Sequence, residues 1–363
     1  MSSHNASQPT AHHPHLSSSK MTIAATRPKI LGIGYPKFAI PEFEDLQKSY
    51  DIHYFVPGDR KQVVSEVKRI CDEHGPFDAG YVLFGTAMYS PFNPDLLAPL
   101  FEKPGFCGLW AQGGAGYDDV DVPFLTNNGA WFSNTPYSVT NATADMGILL
   151  MLSALRGVYQ AEKALRSGKW RDNMPLTEDP EGKTLGFLGL GAIGKSMARK
   201  SKPWNMSILY HNRNRLTVAE EEELGATYVS FDDLLAKSDV ISVNTPLTPA
   251  TRHILNDDAF AKMKDGVYIV NTARGAVIDE DALVRALDSG KVARAGLDVF
   301  DPEPKFESKL FNHDNVSLQP HLGAFTRGTI LRGERDVFAN VKSYLETGKP
   351  VTPVNVPATV EKV

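Results

Sequence analysis

Cysteine is scarce in this sequence of 363 residues, which contains only Cys71 and Cys107. The spacing of the two thiols indicates neither a metal site nor a redox pair, so both are expected to be reduced and partly buried. This scarcity excludes a disulfide framework. We expect a protein of a reducing compartment and predict the cytoplasm.

Long apolar runs and blocks of one charge are also missing. A membrane span needs about 18 apolar residues, and the longest candidate, Met146–Leu155, has about half that length and a helical pattern. We interpret it as a buried or interfacial helix. The 38 Lys and Arg residues are spread along the chain, and the net charge is −5, so no electrostatic footprint for nucleic acid is visible. We expect neither a membrane nor a nucleic acid as partner.

Acidic residues are absent from the first 27 positions, which carry four histidines and only two basic residues, Lys20 and Arg27. The missing acids are compatible with a transit peptide, but no Arg-rich amphipathic face can be drawn. We predict a disordered tail over residues 1–27 and leave organellar targeting open. The histidines have no fixed geometry, and no metal site is predicted.

The remaining sequence has the composition of a globular protein, with 42% hydrophobic and 22% charged residues. The chain is too long for one ordinary core and accommodates two domains. From Lys29 onward, apolar runs alternate with helical patterns in two successive series. Apolar strands separated by helices are typical of parallel sheets that are covered on both faces. We predict an α/β protein with two doubly wound, Rossmann-like lobes and a cleft between them.

Each series is defined by its apolar runs and by the helical stretches that separate them. The first contains Ile30–Ile33, Ile52–Val56, Ala79–Phe84 and Phe106–Trp110, with helices at Arg60–Glu73 and Pro94–Phe101. The second contains Thr184–Leu188, Ser207–Tyr210, Val240–Asn244, Val267–Val270, Ala295–Val299 and Val316–Leu318, with helices that include Ile193–Lys200, Asp257–Met263 and Glu280–Ser289.

A polar, proline-containing stretch, Asn134–Tyr137, separates the two series. A long helix follows it, with Thr140, Asn141 and Thr143 as candidate caps and Asp145 in its first turn.

The final helical stretch, Thr329–Glu346, follows the last strand of the second lobe and could return to cover the first lobe. We therefore predict a discontinuous substrate-binding domain of flavodoxin type, formed by residues 28–134 and 325–355. Residues 135–324 are predicted to form the cofactor-binding domain.

A GxGxxG motif, Gly189 to Gly194, stands between the strand Thr184–Leu188 and a helix. Gly189 permits the tight turn, Gly191 lets the backbone approach a pyrophosphate, and Gly194 lets helix and strand pack closely. The phosphates would face the N–H groups and the positive end of the helix. The residues predicted to bind a dinucleotide here are Gly189, Gly191, Ala192, Ile193 and Gly194.

The second strand of this lobe ends in the basic segment Tyr210–Arg215. An NAD site has an acidic residue about 20 positions after the glycines, where it binds the ribose 2′-hydroxyl. No acid is present before Glu220, whereas Arg213 and Arg215 offer guanidinium groups suited to a 2′-phosphate. We predict that Asn212, Arg213 and Arg215 bind the cofactor, with NADPH preferred and NAD possible.

Three later strands end in ionisable residues, Arg274, Glu303 and His321, at the edge where open α/β sheets bind their ligands. Arg274 can pair with a substrate carboxylate and polarise the neighbouring carbonyl group. His321 can donate a proton to the carbonyl oxygen while a hydride reaches the carbon. Glu303 can hydrogen-bond the other ring nitrogen and stabilise the protonated ring.

Residues 182–328 resemble the D-isomer-specific 2-hydroxyacid dehydrogenases. The matching motifs are Gly189–Gly194, Pro246–Pro249, Asn271–Gly275, Asp298–Pro304 and Pro320–Gly323. The resemblance implies hydride transfer in which Arg274 binds the substrate, His321 is the acid/base and Glu303 supports His321. It also implies that Asp298 holds the nicotinamide carboxamide and that the product has D configuration. Further cofactor contacts predicted from these motifs are Pro246, Thr272 and Gly323.

The first lobe resembles the same family at the glycine-rich loop Gly113–Asp118. The resemblance implies that backbone N–H groups of this loop, and of Gly85 after an earlier strand, meet the substrate carboxylate. The predicted substrate-binding residues are Gly85, Gly114, Ala115, Gly116 and Arg274. In this family the helix that begins near Thr140 builds a dimer interface, so a homodimer is expected.

The segment Tyr210–Arg215 is most similar to the NADP-preferring glyoxylate and hydroxypyruvate reductases. The expected function is thus NADPH-dependent reduction of a small 2-oxoacid to a D-2-hydroxyacid. Phe325 departs from the commoner Gly-Ser-Ala-Thr sequence after the histidine, which leaves larger, branched or aromatic (mandelate-like) substrates open. A nucleotide-sensing corepressor or scaffold on this fold also stays open. Formate dehydrogenase is disfavoured because it carries glutamine at position 303, and phosphoglycerate dehydrogenase because it favours an acidic NAD position.

Overall fold

The computed structural model describes residues 27–102, 107–172, 174–304 and 308–358. The tail predicted over 1–27 lies outside the described residues apart from Arg27, and so does Phe106, the first residue of a predicted strand. The described residues form two sheets, one of five strands and one of seven, in which all strands are parallel. The predicted α/β class with two doubly wound lobes is confirmed.

The five-stranded sheet has the order β2-β1-β3-β4-β5, in which the chain winds to both sides of β1. This is the order of flavodoxin-like folds. Its elements are β1 (Lys29–Ile33), α1 (Ile40–Ser49), β2 (Asp51–Phe55), α2 (Arg60–His74), β3 (Ala79–Val82), α3 (Pro94–Leu97), β4 (Leu109–Gln112), α4 (Val122–Asn127) and β5 (Trp131–Ser133).

The elements of the second half begin with two consecutive helices and continue with strands and helices in alternation. They are α5 (Thr140–Arg156), α6 (Val158–Arg166), β6 (Thr184–Leu188), α7 (Ala192–Ser201), β7 (Ser207–His211), α8 (Val218–Leu224), β8 (Ala226–Tyr228), α9 (Phe231–Lys237), β9 (Val240–Val243), α10 (Asp257–Lys262), β10 (Val267–Asn271), α11 (Glu280–Asp288), β11 (Val292–Leu297), β12 (Val316–Leu318) and α12 (Arg327–Thr347).

The seven-stranded sheet has the order β12-β11-β10-β9-β6-β7-β8. The winding direction reverses between β6 and β9, and ligands of such sheets bind beyond the carboxyl ends of the strands at this point. The inner strands are covered on both faces, and all five residues of β10 are buried. Burial on both faces explains why these strands read as continuous apolar runs.

The last helix, α12, packs on β3, β4 and α1 of the five-stranded sheet, although it follows the last strand of the other sheet. Its buried face contains Val337, Phe338 and Val341. The buried carboxylate of Glu334 accepts hydrogen bonds from three consecutive N–H groups at the start of α1, those of residues 37–39. A carboxylate is favourable at a helix N-terminus, so this contact anchors α12. The exact domain limits stay a prediction.

Two strands, β5 and β8, were not expected from the sequence. Each has only three residues and lies at an edge of its sheet, so neither produces an apolar run of useful length. The helix predicted over Pro94–Phe101 ends at Leu97 and continues as a 3₁₀ turn that contains Pro99, whose nitrogen cannot donate a hydrogen bond.

The expected side-chain capping of α5 is wrong. Its N-cap residue is Val139, and among the described residues no side chain caps it. Two polar side chains of the first turns instead contact α7, because the two helices pack together. Asn141 Oδ1 accepts a hydrogen bond from Ser196 Oγ at 2.8 Å, and Asp145 pairs with Lys200. In the described part of the chain, no helix is long and apolar enough to cross a membrane.

Candidate active site

The glycine turn between β6 and α7 lies at the point where the strand order reverses. Gly189 has a φ of +92°, and a Cβ atom there would lie 2.9 Å from the backbone of Asn244, which follows β9. A Cβ on Gly194 would lie 2.8 Å from the carbonyl oxygen of Gly189. By contrast, a Cβ on Gly191 would meet no atom of the described residues within 4 Å. The turn is therefore packed on two sides and open at Gly191.

The N-terminus of α7 fits a pyrophosphate. Within the described ranges no side chain caps this helix, so its first N–H groups remain available. Gly191 and Ala192 are exposed, whereas Ile193 packs partly against the core. Exposed N–H groups at the positive end of a helix, next to an open glycine, are suited to phosphate oxygens.

Asn212 holds the glycine turn through its side chain. Its Oδ1 atom accepts a hydrogen bond from the backbone N–H of Leu190 at 2.6 Å. This links the end of β7 to the turn that follows β6. The sequence pattern assigned Asn212 to the cofactor directly, and the structure adds a role in shaping the turn.

The two arginines after β7 have different surroundings. Arg215 forms two hydrogen bonds with Glu221, from Nε and Nη2, both 2.8 Å long, and its guanidinium group lies over the Tyr228 ring. The Arg215 hydrogen bond is the main cause that lowers the pKa of Glu221 to about 2. Arg213 is exposed and has no polar partner in the described part of the chain. Only Arg213 has a fully available guanidinium group.

The first acid after β7, Glu220, is occupied by other contacts. It forms a capping box with Thr217 at the start of α8 and pairs with Lys195 of α7 at 2.5 Å. The Lys195 hydrogen bond is the main cause that lowers its pKa to about 2. Glu220 is therefore an anion held by its own neighbours.

His321 and Glu303 are in direct contact. His321 Nδ1 lies 2.6 Å from Glu303 Oε2, and Glu303 Oε1 accepts a hydrogen bond from the Phe300 N–H at 2.8 Å. Burial favours the neutral form of Glu303, but the His321 hydrogen bond and the charges of His321 and Arg274 lower its pKa on balance. Glu303 is thus a carboxylate that orients the ring and leaves Nε2 of His321 to face a reactant.

Asp298 supports the loop that carries His321. Its side chain is 1% exposed, and its two oxygens accept hydrogen bonds from the N–H groups of Leu322 and Gly323, both at 2.7 Å. Burial raises its pKa despite these bonds. His321 itself has a φ of +54°, a conformation that needs such support. Asp298 and Gly323 were both predicted from the sequence to contact the cofactor, and the hydrogen bond between them was not expected.

Arg274 is held by groups from both lobes. Its Nε donates to Asp118 Oδ1 at 2.8 Å, and its Nη1 donates to the Ala273 carbonyl at 2.9 Å. Asn271, which is buried, uses Nδ2 to donate to the Arg274 carbonyl at 2.9 Å and Oδ1 to accept from Ala273 N–H. The positions of Asp118 and Asn271 around Arg274 were not inferred from the sequence.

Gly275 brings the Arg274 loop against the loop of Glu303. A Cβ atom on Gly275 would overlap the backbone carbonyl group of Phe300, whose N–H binds Glu303. Only glycine permits this approach. The loop of Arg274 and the loop of Glu303 are therefore in direct backbone contact, and Glu303 in turn contacts His321. A methyl group at position 275 would disturb this arrangement.

The glycines of the first lobe differ in how open their surroundings are. Gly85 and Gly114 have φ of +93° and +115°, and a Cβ on either would meet no described atom within 4 Å. The Gly114 N–H donates to Thr135 Oγ1 at 2.8 Å, and its contact with a substrate carboxylate stays a prediction. The carbonyl of Ala115 accepts from Asn134, and a Cβ on Gly116 would overlap the Arg274 guanidinium group.

Two further predicted cofactor residues make no side-chain hydrogen bond within the described ranges. Thr272 is buried next to the Arg274 loop, and Pro246 is exposed after β9. Among the described residues, no group of three or more His, Cys, Asp or Glu side chains could hold a metal ion.

Comparison with known proteins identifies the group to which this architecture belongs. Residues 148–323 match the family described as D-isomer specific 2-hydroxyacid dehydrogenase, NAD binding domain. The chain is 46% identical to 4-methyl-2-oxopentanoate reductase A of Aspergillus oryzae over 329 residues, which cover 90% of this chain and 97% of that protein.

Two solved structures extend the similarity to the whole fold. A glyoxylate reductase from Paecilomyes thermophila is 43% identical, with a TM-score of 0.84 over 90% of this chain and 98% of that one. The holo form of D-mandelate dehydrogenase from Rhodotorula graminis is 32% identical, with a TM-score of 0.83 over 92% and 100%. The chain belongs to the D-isomer specific 2-hydroxyacid dehydrogenase family and is a nicotinamide-dependent oxidoreductase that acts on CH–OH groups.

Proposed function

We propose that this protein uses NADPH to reduce a 2-oxoacid to the D-2-hydroxyacid. The observation that carries the proposal is the pairing of His321 with Glu303 next to Arg274, at the carboxyl edge of the sheet that carries the glycine turn. The terminal N–H groups of Arg274 bind the substrate carboxylate and polarise its carbonyl oxygen. His321 donates the proton that this oxygen needs, and Glu303 stabilises the protonated ring from which it comes.

When bound, the dihydronicotinamide of NADPH would supply a hydride for the carbonyl carbon; the carbonyl π bond would break and its electrons would take the proton of His321, which gives the C–H and O–H bonds of the product. The N–H groups at the N-terminus of α7 and the open side of Gly191 would hold the pyrophosphate of the cofactor. Asp298 accepts hydrogen bonds from the N–H groups of Leu322 and Gly323 and so holds the loop that carries His321 in position. The chain thus contributes positioning, one proton donor and one anion-binding group.

NADPH preference is supported by Arg213. It is the exposed guanidinium group after β7 that no described side chain neutralises, while the acid nearest to it along the chain, Glu220, is bound to Lys195 and Thr217. A 2′-phosphate would therefore meet a cation here, whereas Glu220 is already engaged and is not available to a 2′-hydroxyl. Kinetic constants for NADPH and NADH with one 2-oxoacid test this preference. Equal efficiency with both cofactors contradicts it.

Glyoxylate or hydroxypyruvate is the proposed substrate class, as expected from the similarity to a glyoxylate reductase. A larger apolar substrate is the second candidate, because Phe325, four residues after His321, is 65% exposed. The names of two relatives, a 4-methyl-2-oxopentanoate reductase and a D-mandelate dehydrogenase, support this alternative. A panel of glyoxylate, hydroxypyruvate, pyruvate, 4-methyl-2-oxopentanoate and phenylglyoxylate decides between them. No turnover of any of these would refute both assignments.

A homodimer is the proposed assembly. Leu149 on the outer face of α5 is half exposed, and Trp170 and Leu176 after α6 are 71% and 97% exposed. Large apolar side chains exposed on this part of the protein favour an interface. Light scattering on the purified protein tests this proposal, and a monomer at micromolar concentration would contradict it. The cytoplasm stays a prediction.

A further inference from the structure

We infer that Asp118 is a positioning residue that decides which edge of the Arg274 guanidinium group faces the substrate. This inference rests on the proposed function, since it concerns the same site. Asp118 follows β4 of the five-stranded sheet, and Arg274 follows β10 of the seven-stranded sheet. Their ion pair, 2.8 Å from Nε to Oδ1, therefore joins the two lobes at the cleft.

Three contacts determine the orientation of the Arg274 guanidinium group. Asp118 occupies Nε, the Ala273 carbonyl occupies one hydrogen of Nη1, and Nη2 rests against the Cα of Gly116. An arginine has five N–H donors in a rigid plane. Two are used in these contacts, which leaves one on Nη1 and two on Nη2. Two of these three can form the parallel pair of hydrogen bonds that a carboxylate accepts.

The negative charge of Asp118 does not help to attract an anionic substrate. Its carboxylate compensates the charge of Arg274 at the place where an anionic substrate must bind. The neighbouring Asp119 has a raised pKa, because of burial first and the Asp118 charge second. Asp118 is thus unfavourable for attraction of the substrate. The position of Asp118 is explained if this residue instead aligns the Arg274 guanidinium group.

Alignment and charge can be separated with two substitutions. Asp118→Asn keeps an oxygen that accepts from Nε and removes the negative charge. Asp118→Ala removes both, so the guanidinium group can rotate about its last side-chain bonds. We expect kcat for Asp118→Asn to stay within about threefold of the wild type, with a KM for the 2-oxoacid that does not rise. For Asp118→Ala we expect kcat/KM to fall by about tenfold to a hundredfold, which is the loss of rate that a misplacement of about 1 Å can cause.

Gly116→Ala provides an independent perturbation of the same group. The backbone of Gly116 is not in the left-handed region, so alanine is tolerated by the chain, but its Cβ would overlap Nη2 of Arg274. This variant is expected to lose activity as Asp118→Ala does. The matched control is Asp257→Ala, which removes the carboxylate partner of Arg285 at 2.7 Å on an exposed surface. The control is expected to retain wild-type constants.

The experiment measures kcat and KM with NADPH and, separately, calorimetric binding of oxalate to the protein–NADPH complex. Loss of oxalate affinity in Asp118→Ala and Gly116→Ala but not in Asp118→Asn supports the inference, even if the wild type reduces none of the 2-oxoacids tested. An active wild type whose Asp118→Ala variant keeps its kcat/KM within twofold overturns the inference and leaves the proposed function intact. Equal losses in Asp118→Asn and Asp118→Ala also overturn it, because charge would then matter and alignment would not. A wild type that neither reduces a 2-oxoacid nor binds oxalate overturns both.

Discussion

Replacement of Gly275 by alanine tests whether backbone contact between two loops positions the reacting groups. The added Cβ would overlap the Phe300 carbonyl group. Non-bonded carbon atoms keep about 3.5–4.0 Å apart, so one loop must move by on the order of 1 Å. Arg274 precedes the altered residue, and Glu303 is bonded to the Phe300 N–H. Either movement separates the anion-binding group from the proton donor.

The expected loss is about 100-fold in kcat/KM, the usual effect of a misplacement of this size. It corresponds to about 2.7 kcal/mol of transition-state stabilisation. Overpacking of this kind costs about 1–3 kcal/mol of folding free energy, which a protein with a stability of about 5–15 kcal/mol survives. The variant should therefore be folded, with a lower melting temperature, and bind NADPH.

Steady-state oxidation of NADPH by the 2-oxoacid measures the loss, and thermal unfolding monitored by circular dichroism measures the cost in stability. Gly328→Ala is the control, because a Cβ there would meet only the end of the flexible Arg332 side chain, at 3.1 Å. This control should keep activity within about twofold, as surface substitutions do. A Gly275→Ala protein with wild-type kcat/KM and an unchanged melting temperature would refute the reasoning.

Other substitutions test the remaining roles. His321→Ala should lose at least about 100-fold in kcat with NADPH affinity retained, because a general acid contributes about 10²–10⁴-fold; stopped-flow turnover equal to the wild type would remove His321 from the mechanism. Replacement of Arg213 and Arg215 together should weaken NADPH far more than NADH, and Arg213→Ala alone should account for most of this, roughly tenfold to a hundredfold, since a charged hydrogen bond contributes about 1.5–3 kcal/mol; equal changes in the two dissociation constants would end the NADP assignment. Glu303 has a pKa below its ordinary value of 4.5, so its ionised form stabilises the fold above that pH and the contribution is lost as pH falls through the lowered pKa. Urea unfolding of Glu303→Gln should accordingly show a smaller acid-induced loss of stability than the wild type across that window, and identical pH profiles would contradict this.

The strand-and-helix order could be predicted because each element leaves a local signal. Buried parallel strands such as β10 are apolar at every position, and the glycine turn after β6 is a fixed pattern of residue types. Edge strands with three residues leave no such signal, which is why β5 and β8 were missed. The charged groups at the strand ends were found by topology, since the carboxyl ends of parallel strands meet at one edge of a sheet.

The partners of those groups could not be predicted from spacing. Asp118 lies 156 positions before Arg274, and their contact exists only because the two lobes face each other. Arg213 and Arg215 read alike along the chain, yet one is paired with Glu221 and the other is not paired within the described residues. Likewise Gly114 offers an N–H in the sequence, and the Thr135 hydroxyl occupies it in the fold.

The amino-acid sequence by itself determined the class of fold, the glycine turn after β6 and the candidate reacting side chains, because periodicity and motif chemistry are local properties. Only the tertiary structure decided how these side chains are held. The hydrogen bonds that Asp298 and Asp118 accept, and the close approach at Gly275, join segments that are far apart in the chain. Such contacts depend on how strands and lobes are placed in space, and no local pattern encodes that placement.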